Sequence, residues 1–339
     1  MNTKIFTNSH ENIKAAAEII KAGGLVAFPT ETVYGLGANA LDEAAVKKIY
    51  ETKGRPGDNP MIVHIAKALD IGQLVTKLNQ VTLDLIENFW PGPLTLVLNK
   101  KDEVPYVTTG GMDTVAVRMP DDLTALALIT QAGCPIAAPS ANISGRPSPT
   151  GAMHVIEDLD GKIDAIIVGK DCRIGIESTV LDVTGDIPVI LRPGVITASE
   201  ISRAIDCEVE LDPWLFRNDM QDEDGNEAHD FNPKSPGMKY KHYAPKAQMK
   251  IIEGERSKVK SEIERLKSIN ESKGNSVGVI LFEEKAFMEA AHDLFAKLRE
   301  FDRQGVDIIL AGALSDKDEV GFAVMNRMLK SAGYNIIKV

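Results

Sequence analysis

Strands and helices alternate strictly along the C-terminal part of the chain. Hydrophobic patterns predict, in order, strand 249–252, helix 256–272, strand 277–282, helix 285–301, strand 307–311, helix 319–332 and strand 335–338. Strict alternation predicts a small parallel sheet covered by helices, a Rossmann-like half. The first of these strands is followed by Glu253-Gly-Glu-Arg256 and not by a GxGxxG turn, so we expect no dinucleotide there.

The N-terminal part mixes helices and strands without such regularity. Apolar spacing predicts helices over 11–22, 42–52 and 80–89, and strands over 25–28, 61–65, 95–98, 114–118, 136–138, 165–168, 178–182 and 188–191. Asp42 is a candidate N-cap for the second helix, and Gly23-Gly24 is a natural stop for the first. Many short strands among helices favour one α/β domain with a twisted, mixed sheet.

A polar segment separates the two parts. Residues 211–232 carry one basic and seven acidic side chains and no apolar period, which is typical of a solvated connector. The next stretch, NPKSPGMKYKHYAPK, has three prolines, which forbid a regular helix, and includes Tyr240 and Tyr243. These aromatic side chains would pack either against their own domain or over a binding site. We therefore predict a domain at 1–210, a linker at 211–246 that is a candidate cap for a site, and a second domain at 247–339.

The charge balance restricts the partners of the chain. Its 339 residues carry 38 basic and 49 acidic side chains, and residues 1–210 alone carry 18 and 27. An open nucleic-acid groove needs clustered Lys and Arg, so this balance argues against stable nucleic-acid binding. It does not argue against an ATP pocket, for which a few placed cations suffice.

The cysteines and the N-terminus bear on location. Cys134, Cys172 and Cys207 show no CxxC spacing, and we interpret them as reduced thiols of a cytoplasmic protein. The first ten residues lack the apolar region of a signal peptide, and no apolar run reaches the ~18 residues that a membrane span requires. We expect neither a signal peptide nor a membrane partner.

Two cations flank a glycine in the segment Lys53-Gly-Arg55. No Walker A, HExxH or GxSxG pattern occurs in the chain, which excludes the common NTPase, zincin and α/β-hydrolase interpretations. A compact ammonium and a planar guanidinium so close together suit the oxygens of a phosphate group. A solvated charged turn is the weaker alternative, because Pro56 and Pro60 stiffen the loop that follows.

The segment FPTETVYGLG at 28–37 and the strand that contains His64 leave alternatives open. In the first, Gly35 and Gly37 would let the main chain approach a ligand, or would serve an ordinary tight connection. A lone His64 within an apolar strand is more often a satisfied core residue than a ligand.

Arg118 lies inside an apolar strand pattern and therefore needs an anionic partner. A structural Asp or Glu would serve, and so would the carboxylate of a bound amino acid. Ser140, Asn142 and Ser148 offer neutral hydrogen-bond groups on a loop with prolines and glycine, and Arg192 is a further candidate anion contact. Together these segments predict one concave site for an anion-rich ligand and a small polar one.

Seven segments resemble, in order and spacing, the YrdC/Sua5 family: FPTETVYGLG, KGRPGDNPMIVHI, WPGPLTLVL, VAVRMP, APSANISGRPSPT, IESTV and ILRPG. The match spans about residues 8–210, and the rest is similar to the extra domain of the long, two-domain Sua5 form. The resemblance implies a YrdC-like mixed-sheet domain followed by a small Rossmann-like parallel α/β domain. It also implies a nucleotidyltransferase, an L-threonylcarbamoyladenylate synthase, which makes threonylcarbamoyl-AMP and pyrophosphate from L-threonine, bicarbonate and ATP.

The same resemblance implies roles for individual residues. The KxR and SxN signatures of the family fall on Lys53, Arg55, Ser140 and Asn142, which would act in catalysis and bind the ATP phosphates. The further ATP contacts implied are Asn59, Thr114, Ser148, Arg192, Tyr240 and Tyr243. The threonine contacts implied are Thr32, His64, Arg118, Ala138 and Ser178. Mg²⁺ would accompany ATP, held mainly by phosphates and water, because the sequence has no Asp/Glu cluster for a metal cage.

The adenylate implied by the resemblance would pass to a tRNA threonylcarbamoyl transferase machinery, for N6-threonylcarbamoyladenosine in tRNA. The alternative is a double-stranded RNA or tRNA-binding module of the same fold without adenylate chemistry. The negative balance of residues 1–210 disfavours it, because RNA affinity depends on phosphate neutralisation. A carbamoyl-transfer enzyme of hydrogenase maturation, which embeds a similar domain, is excluded because it is much longer and carries zinc-binding cysteine motifs.

Overall fold

The computed structural model describes residues 2–216, 243–315 and 318–339. In the N-terminal part the elements are β1 Lys4–Thr7, α1 His10–Lys21, β2 Val26–Phe28, β3 Gly35–Asn39, α2 Glu43–Lys53, β4 Ile62–His64, α3 Gln80–Phe89, β5 Leu94–Asn99, β6 Thr114–Arg118, α4 Leu123–Ala132, β7 Ile136–Ala137, α5 Ala152–Leu159, β8 Ala165–Val168, β9 Thr179–Asp182, β10 Val189–Arg192, α6 Ala198–Ile205 and β11 Glu210–Leu211. In the C-terminal part they are β12 Gln248–Glu253, α7 Arg256–Ser272, β13 Val277–Ile280, α8 Phe287–Gln304, β14 Ile308–Gly312, α9 Glu319–Ala332 and β15 Ile336–Lys338.

Eleven of the described strands form one mixed sheet, in the order β1-β8-β2-β3-β7-β4-β6-β5-β9-β10-β11. The pairs β4 with β6 and β5 with β9 are parallel, whereas β5 with β6 and β9 with β10 are antiparallel. This confirms the mixed α/β sheet predicted from the sequence. The register pairs His64 with Arg118, so the last residues of β4 and β6 lie side by side at one edge of the sheet.

The four described strands of the C-terminal part form a second sheet, in the order β13-β14-β12-β15. Every neighbouring pair is parallel. Helices α7 and α9 begin and end at the residues predicted for them, 256–272 and 319–332. The Rossmann-like parallel α/β arrangement is therefore confirmed.

Helix α2 brings the KxR segment to a fixed place. Asp42 caps its beginning, as predicted, and accepts hydrogen bonds from the main-chain nitrogens of Ala44 and Ala45 at 2.9 and 3.1 Å. The helix ends at Gly54, which has a left-handed φ of +61° that glycine adopts without strain. Lys53 is thus the last helical residue, and Arg55 begins the loop beyond it.

The segment at 35–39 differs from our expectation. It forms strand β3, not a loop in which Gly35 and Gly37 approach a ligand. A Cβ on Gly37 would lie 2.7 Å from the side chains of Phe28 and Ile136, so packing inside the sheet requires a glycine there. Gly35 is tight in the same way, and it also lines the cleft described below.

Helices α4, α5 and α6 are not among the predicted elements. Helix α4, LTALALITQA, is apolar on most faces, so it shows no helical period. Helices α5 and α6 have eight residues each, which is too short for a period to stand out. Among the described helices, none combines the length and the apolar character needed to cross a membrane.

The two parts of the chain share one apolar cluster. Val33, Ile174 and Ile176 of the N-terminal part belong to the same buried cluster as Tyr243 and Phe295. The rings of Tyr243 and Phe295 lie 5.0 Å apart. Strand β11 extends past residue 210, where we placed the first boundary, and pairs in parallel with β10. The N-terminal sheet therefore includes Leu211, which we assigned to the linker.

Candidate active site

A cleft lies where several strands of the large sheet end. It holds about 640 Å³ of empty space, its open mouth included. The predicted substrate contacts that line it are Thr32, Arg55, His64, Arg118, Ala138, Ser140, Asn142, Ser148, Ser178, Arg192 and Tyr243. Lining residues that the sequence analysis had not selected as contacts are Thr30, Val33, Tyr34, Gly35, Ile62, Pro139, Arg146 and Glu177. Segments that are far apart in the sequence thus meet in one cleft.

Lys53 lies beneath the wall of this cleft and not in it. Its side-chain nitrogen donates hydrogen bonds to the main-chain oxygens of Ser140, at 2.5 Å, and Asn142, and lies 3.5 Å from Asn142 Oδ1. Burial and the neighbouring charge of Arg55 hold the pKa of Lys53 well below its usual value. We expected Lys53 to touch phosphate directly. The ammonium group donates to the loop oxygens, which satisfy this buried cation, and its direct contact with phosphate stays a prediction.

Arg55 reaches the cleft itself. Its Nε and Nη2 atoms donate to the main-chain oxygen of Asn59, at 3.3 and 3.2 Å, and Nη2 also donates to that of Pro60, at 2.9 Å. Within the described residues, Nη1 makes no hydrogen bond. Burial lowers the pKa of Arg55 to about 10, so the side chain remains a cation at neutral pH.

The loop that carries Ser140 and Asn142 is held by its own hydrogen bonds. The hydroxyl of Ser140 donates to Asn142 Oδ1 at 2.6 Å. The amide nitrogen of Asn142 donates to the main-chain oxygens of Ile143 and Arg146, at 2.8 and 2.9 Å. Both side chains line the cleft beside Arg55. The loop is therefore a preformed wall of neutral groups next to a cation.

Arg118 forms an ion pair with a carboxylate of the chain itself. Its Nη2 atom lies 2.7 Å from Oε1 of Glu31, and both side chains are almost completely buried. Nη1 donates to Thr32 Oγ1 at 2.9 Å, and Nε donates to the main-chain oxygen of Gly92 at 3.2 Å. Of the two alternatives from the sequence, a structural carboxylate is present. Sequence reasoning missed Glu31 because the only signal was one acidic residue in an uncharged segment.

The other predicted threonine contacts surround Arg118. Thr32 Oγ1 lies 2.9 Å from Thr30 Oγ1, and Ser178 Oγ lies 2.8 Å from Thr95 Oγ1. His64 is buried, with Nδ1 3.2 Å from the main-chain oxygen of Ile62. Burial and the charge of Arg118 lower the pKa of His64 to about 3, so the imidazole is neutral. His64 is thus both a satisfied core residue and part of the cleft wall.

Glu177 adds a carboxylate to the opposite wall. Its Oε1 atom accepts a hydrogen bond from Ser148 Oγ at 2.5 Å. Burial alone would raise the pKa of Glu177, but the charges of Arg327 and Arg192 and the Ser148 hydroxyl lower it below its usual value. Burial lowers the pKa of Arg192 to about 10, and its Nε and Nη2 atoms both donate to Ser178 at 3.0 Å. This wall therefore contains a carboxylate, Glu177, and a cation, Arg192, at neutral pH.

One of the two candidate tyrosines of the linker closes the cleft. Tyr243 is buried and lines the cleft, while its ring also packs on Phe295 of α8. Burial and the Glu177 carboxylate raise the pKa of Tyr243 to about 12. Tyr243 therefore both packs against a domain and lies at the candidate site, the two alternatives that the sequence left open. Tyr240 lies outside the described residues.

Asn59 and Thr114 do not line the cleft. Asn59 is buried beneath Arg55, where its main-chain oxygen accepts hydrogen bonds from Arg55 and from Tyr50 Oη. Thr114 begins β6, the five-residue strand whose last residue is Arg118. At the strand rise per residue this places it about 13 Å from the cleft end of the strand. Neither residue is among those that line this cleft, and their contact with ATP stays a prediction.

Ionisable groups that could form a metal cage are not gathered in this region. In residues 2–216, 243–315 and 318–339, no group of three or more His, Cys, Asp and Glu side chains is placed to hold a metal ion. The buried Glu31 and the cleft residue Glu177 are each paired with an arginine.

Comparisons with known proteins agree with this arrangement. A family model described as telomere recombination, that of the Sua5, YciO and YrdC proteins, matches residues 18–194. The chain belongs to the Sua5/YciO/YrdC family. A second model, described as threonylcarbamoyl-AMP synthase, C-terminal domain, matches residues 196–333. The chain is therefore a member of the long, two-domain Sua5 form of this family.

Relatives of this Sua5-type chain match it over nearly its whole length. The threonylcarbamoyl-AMP synthase of Pyrococcus abyssi is 50% identical, over 96% of each protein. That of Bacillus subtilis is 45% identical, over 99% of this chain and 97% of the relative. A crystal structure of P. abyssi Sua5 complexed with L-threonine is 48% identical, covers 100% of both chains and superposes with a TM-score of 0.91.

Proposed function

We propose that the chain is an L-threonylcarbamoyladenylate synthase that makes threonylcarbamoyl-AMP and pyrophosphate from L-threonine, bicarbonate and ATP. The observation that carries this proposal is the single cleft in which Arg55, Ser140 and Asn142 lie next to Thr32 and Arg118. Full-length relatives at 45–50% identity are threonylcarbamoyl-AMP synthases. A cation with neutral donors at one end suits a polyphosphate, and the Arg118 end suits a small amino acid.

At the nucleotide end, the reaction needs positive charge around the α-phosphorus. An oxygen of the carbamate of threonine attacks this phosphorus, and the bond to the departing pyrophosphate breaks. Negative charge grows on the phosphoryl oxygens, where Arg55 and Arg192 would stabilise it. Arg192 is buried and Arg55 is half-buried, and hydrogen bonds to main-chain oxygens hold both guanidinium groups, so little reorganisation accompanies the reaction.

At the amino-acid end, Arg118 would meet the carboxylate of threonine. Its Nη2 atom already lies beside Glu31, and Thr32 holds its Nη1 atom, so the orientation of the guanidinium is fixed before threonine binds. The neutral imidazole of His64 and the small side chain of Ala138 would border the threonine side chain. An uncharged wall suits a side chain that carries one methyl and one hydroxyl group.

Lys53 would act on the reaction through the loop that it supports. Its ammonium group ties the main-chain oxygens of Ser140 and Asn142 to the end of α2, directly before Arg55. Lys53 thus sets the distance between Arg55 and the side chains of Ser140 and Asn142. A displacement of this spacing by an ångström would be enough to slow a phosphoryl transfer strongly.

We expect ATP to enter as its magnesium complex. The buried Glu31 and the cleft residue Glu177 are occupied by Arg118 and Arg327, so phosphate oxygens and water would hold most of the coordination sphere. The product would serve the threonylcarbamoylation of tRNA by a separate transferase machinery. We infer a cytoplasmic location from the three free cysteines, which a reducing compartment maintains.

The proposal is tested with the purified chain, magnesium ATP, bicarbonate and one amino acid at a time. We expect pyrophosphate release with L-threonine and at most a tenth of that rate with L-serine, L-valine or L-alanine. Omission of bicarbonate should abolish the release. A rate that does not depend on the amino acid would contradict the proposal. A salt-sensitive gel shift of tRNA without ATP, in a protein that releases no pyrophosphate, would favour the RNA-binding alternative.

A further inference from the structure

Two arginines of the C-terminal domain are buried in its contact with the N-terminal domain. Arg299 and Arg327 are the largest of the fully buried side chains in the described part of the chain. Arg299 donates to the main-chain oxygen of Pro147 and pairs with Asp158 at 2.9 Å, so it supports the loop beyond Asn142. Buried ion pairs add little to stability compared with apolar packing. Because these two arginines lie next to the cleft, they are candidates for positioning the residues of the cleft.

Arg327 holds two segments that the sequence analysis had selected. Its Nε atom lies 3.3 Å from Oε2 of Glu177, and its Nη2 atom lies 3.5 Å from the main-chain oxygen of the same residue. Nη1 donates to the main-chain oxygen of Pro193 and, at 3.2 Å, to that of Ala323 within α9. One guanidinium of α9 thus fixes both the IESTV segment and the turn that follows Arg192.

Glu177 transmits this contact to the cleft wall. Its other carboxylate oxygen accepts the hydroxyl of Ser148 at 2.5 Å, and its charge acts on Arg192. Ser148, Glu177 and Arg192 all line the cleft, whereas Arg327 does not. A continuous series of contacts therefore runs from α9, through one carboxylate, to Ser148, and the charge of the same carboxylate acts on Arg192.

We propose that Arg327 is a positioning residue for the ATP subsite, acting through Glu177 on Ser148 and Arg192. This inference rests on the proposed function, which places ATP at that end of the cleft. Without Arg327, Glu177 keeps Arg192 as its neighbouring cation and draws it away from the phosphates. The C-terminal domain then helps to shape the ATP subsite. Its deletion would remove this positioning as well as exposing the cleft.

The experiment compares Arg327→Gln, Arg327→Lys, Glu177→Gln and the double variant Arg327→Gln/Glu177→Gln in the full chain. ATP affinity is measured by calorimetry without threonine, and threonine affinity is measured separately. Arg327→Gln should weaken ATP binding at least tenfold and change threonine binding less than threefold. Arg327→Lys should recover part of the loss, and the double variant should bind ATP better than Arg327→Gln, because no carboxylate then draws Arg192 away from the phosphates.

Ile263→Ala is the matched control, because Ile263 is buried in the C-terminal domain in a cluster away from the cleft. It should lower the melting temperature and leave ATP affinity unchanged. Equal losses of ATP affinity in Ile263→Ala and Arg327→Gln, or equal losses of ATP and threonine affinity in Arg327→Gln, would overturn the inference. If Arg327→Gln does not fold, wild-type ATP affinity in both Arg327→Lys and the double variant would overturn it.

The two proposals fail in different ways. If the wild-type chain binds ATP but releases no pyrophosphate with threonine, the proposed function is wrong. ATP affinity of the Arg327 variants still decides the positioning role, because calorimetry needs no turnover. If the chain releases pyrophosphate with threonine but Arg327→Gln binds ATP normally, only the positioning role is wrong.

Discussion

The ammonium group of Lys53 donates a hydrogen bond to the main-chain oxygen of Ser140, 87 residues further along the chain, at 2.5 Å. The same nitrogen also donates to the main-chain oxygen of Asn142. This contact joins the two segments that carry the family's KxR and SxN signatures. It gives the buried lysine a structural task in a site whose chemistry depends on the relative position of those segments.

Replacement of Lys53 by methionine leaves an unbranched, slightly shorter side chain and removes its charge. The oxygens of Ser140 and Asn142 would lose their donor, which costs about 1–3 kcal/mol of unfolding free energy, and the loop would shift. We expect pyrophosphate release to fall roughly 100-fold. The matched control is Lys48→Met on the same helix, where Lys48 donates to the main-chain oxygen of Gly23 outside the cleft. Equal rates for the two variants would contradict this role.

Arg55→Ala tests the cation that faces the cleft. Because the hydrogen bonds of Arg55 within the described residues go to main-chain oxygens of Asn59 and Pro60, the variant should fold with nearly the wild-type melting temperature. Loss of a placed cation should lower kcat/KM for ATP on the order of 100–1000-fold. Arg55→Lys keeps the charge without the planar fork and should recover only part of the rate. Near-normal activity of Arg55→Ala would refute an anion-binding role.

The buried pair of Arg118 and Glu31 predicts a specific pattern of stability. Arg118→Gln leaves Glu31 buried without its cation, which should cost about 3–5 kcal/mol in urea unfolding. The double variant Arg118→Gln/Glu31→Gln should recover most of this loss, because no uncompensated charge remains. Neither variant should bind threonine in calorimetry. Strictly additive stability losses would show that the two side chains do not interact.

The neutral state of His64 predicts how stability depends on pH. Its pKa is about 3 in the folded chain and usually about 6.5, so between these values the unfolded chain binds the extra proton. Stability should therefore fall as the pH drops below 6.5, by about 1.4 kcal/mol per pH unit for this residue. Urea unfolding of wild type and His64→Gln at pH 7.5, 6 and 5 isolates the effect, since His154, whose pKa burial lowers to about 4, is present in both. Identical pH slopes would contradict a neutral His64.

Much of the fold follows from local patterns in the sequence. The helices at 256–272 and 319–332 show clear amphipathic periods, and Asp42 is a recognisable cap. The mixed sheet was inferred from the number of short strands. The order of the strands in the sheet could not be inferred from the sequence. Strand β3 was not predicted, because a glycine at position 37 is required by the nearby side chains of Phe28 and Ile136. Only the folded sheet brings these side chains close to Gly37.

The candidate site, like the fold, could be predicted only in part from the sequence. The cations and hydroxyls were visible as residue types at the ends of strands, whereas their partners lie far away in the sequence. Glu31 lies 87 positions before Arg118, and Arg327 lies 150 positions after Glu177. No local pattern marks such pairs, because burial decides which charges must meet and burial is a property of the whole fold.

The measurement that tests the account most directly is the identity of the product when ATP and threonine occupy the cleft together. The chain is incubated with magnesium ATP, L-threonine and carbon-labelled bicarbonate, and the nucleotides are separated and weighed by mass spectrometry. We predict one adenylate that contains threonine and the labelled carbon, formed in equal amount to pyrophosphate. An adenylate of threonine without the labelled carbon, or release of ADP and phosphate instead, would contradict the account.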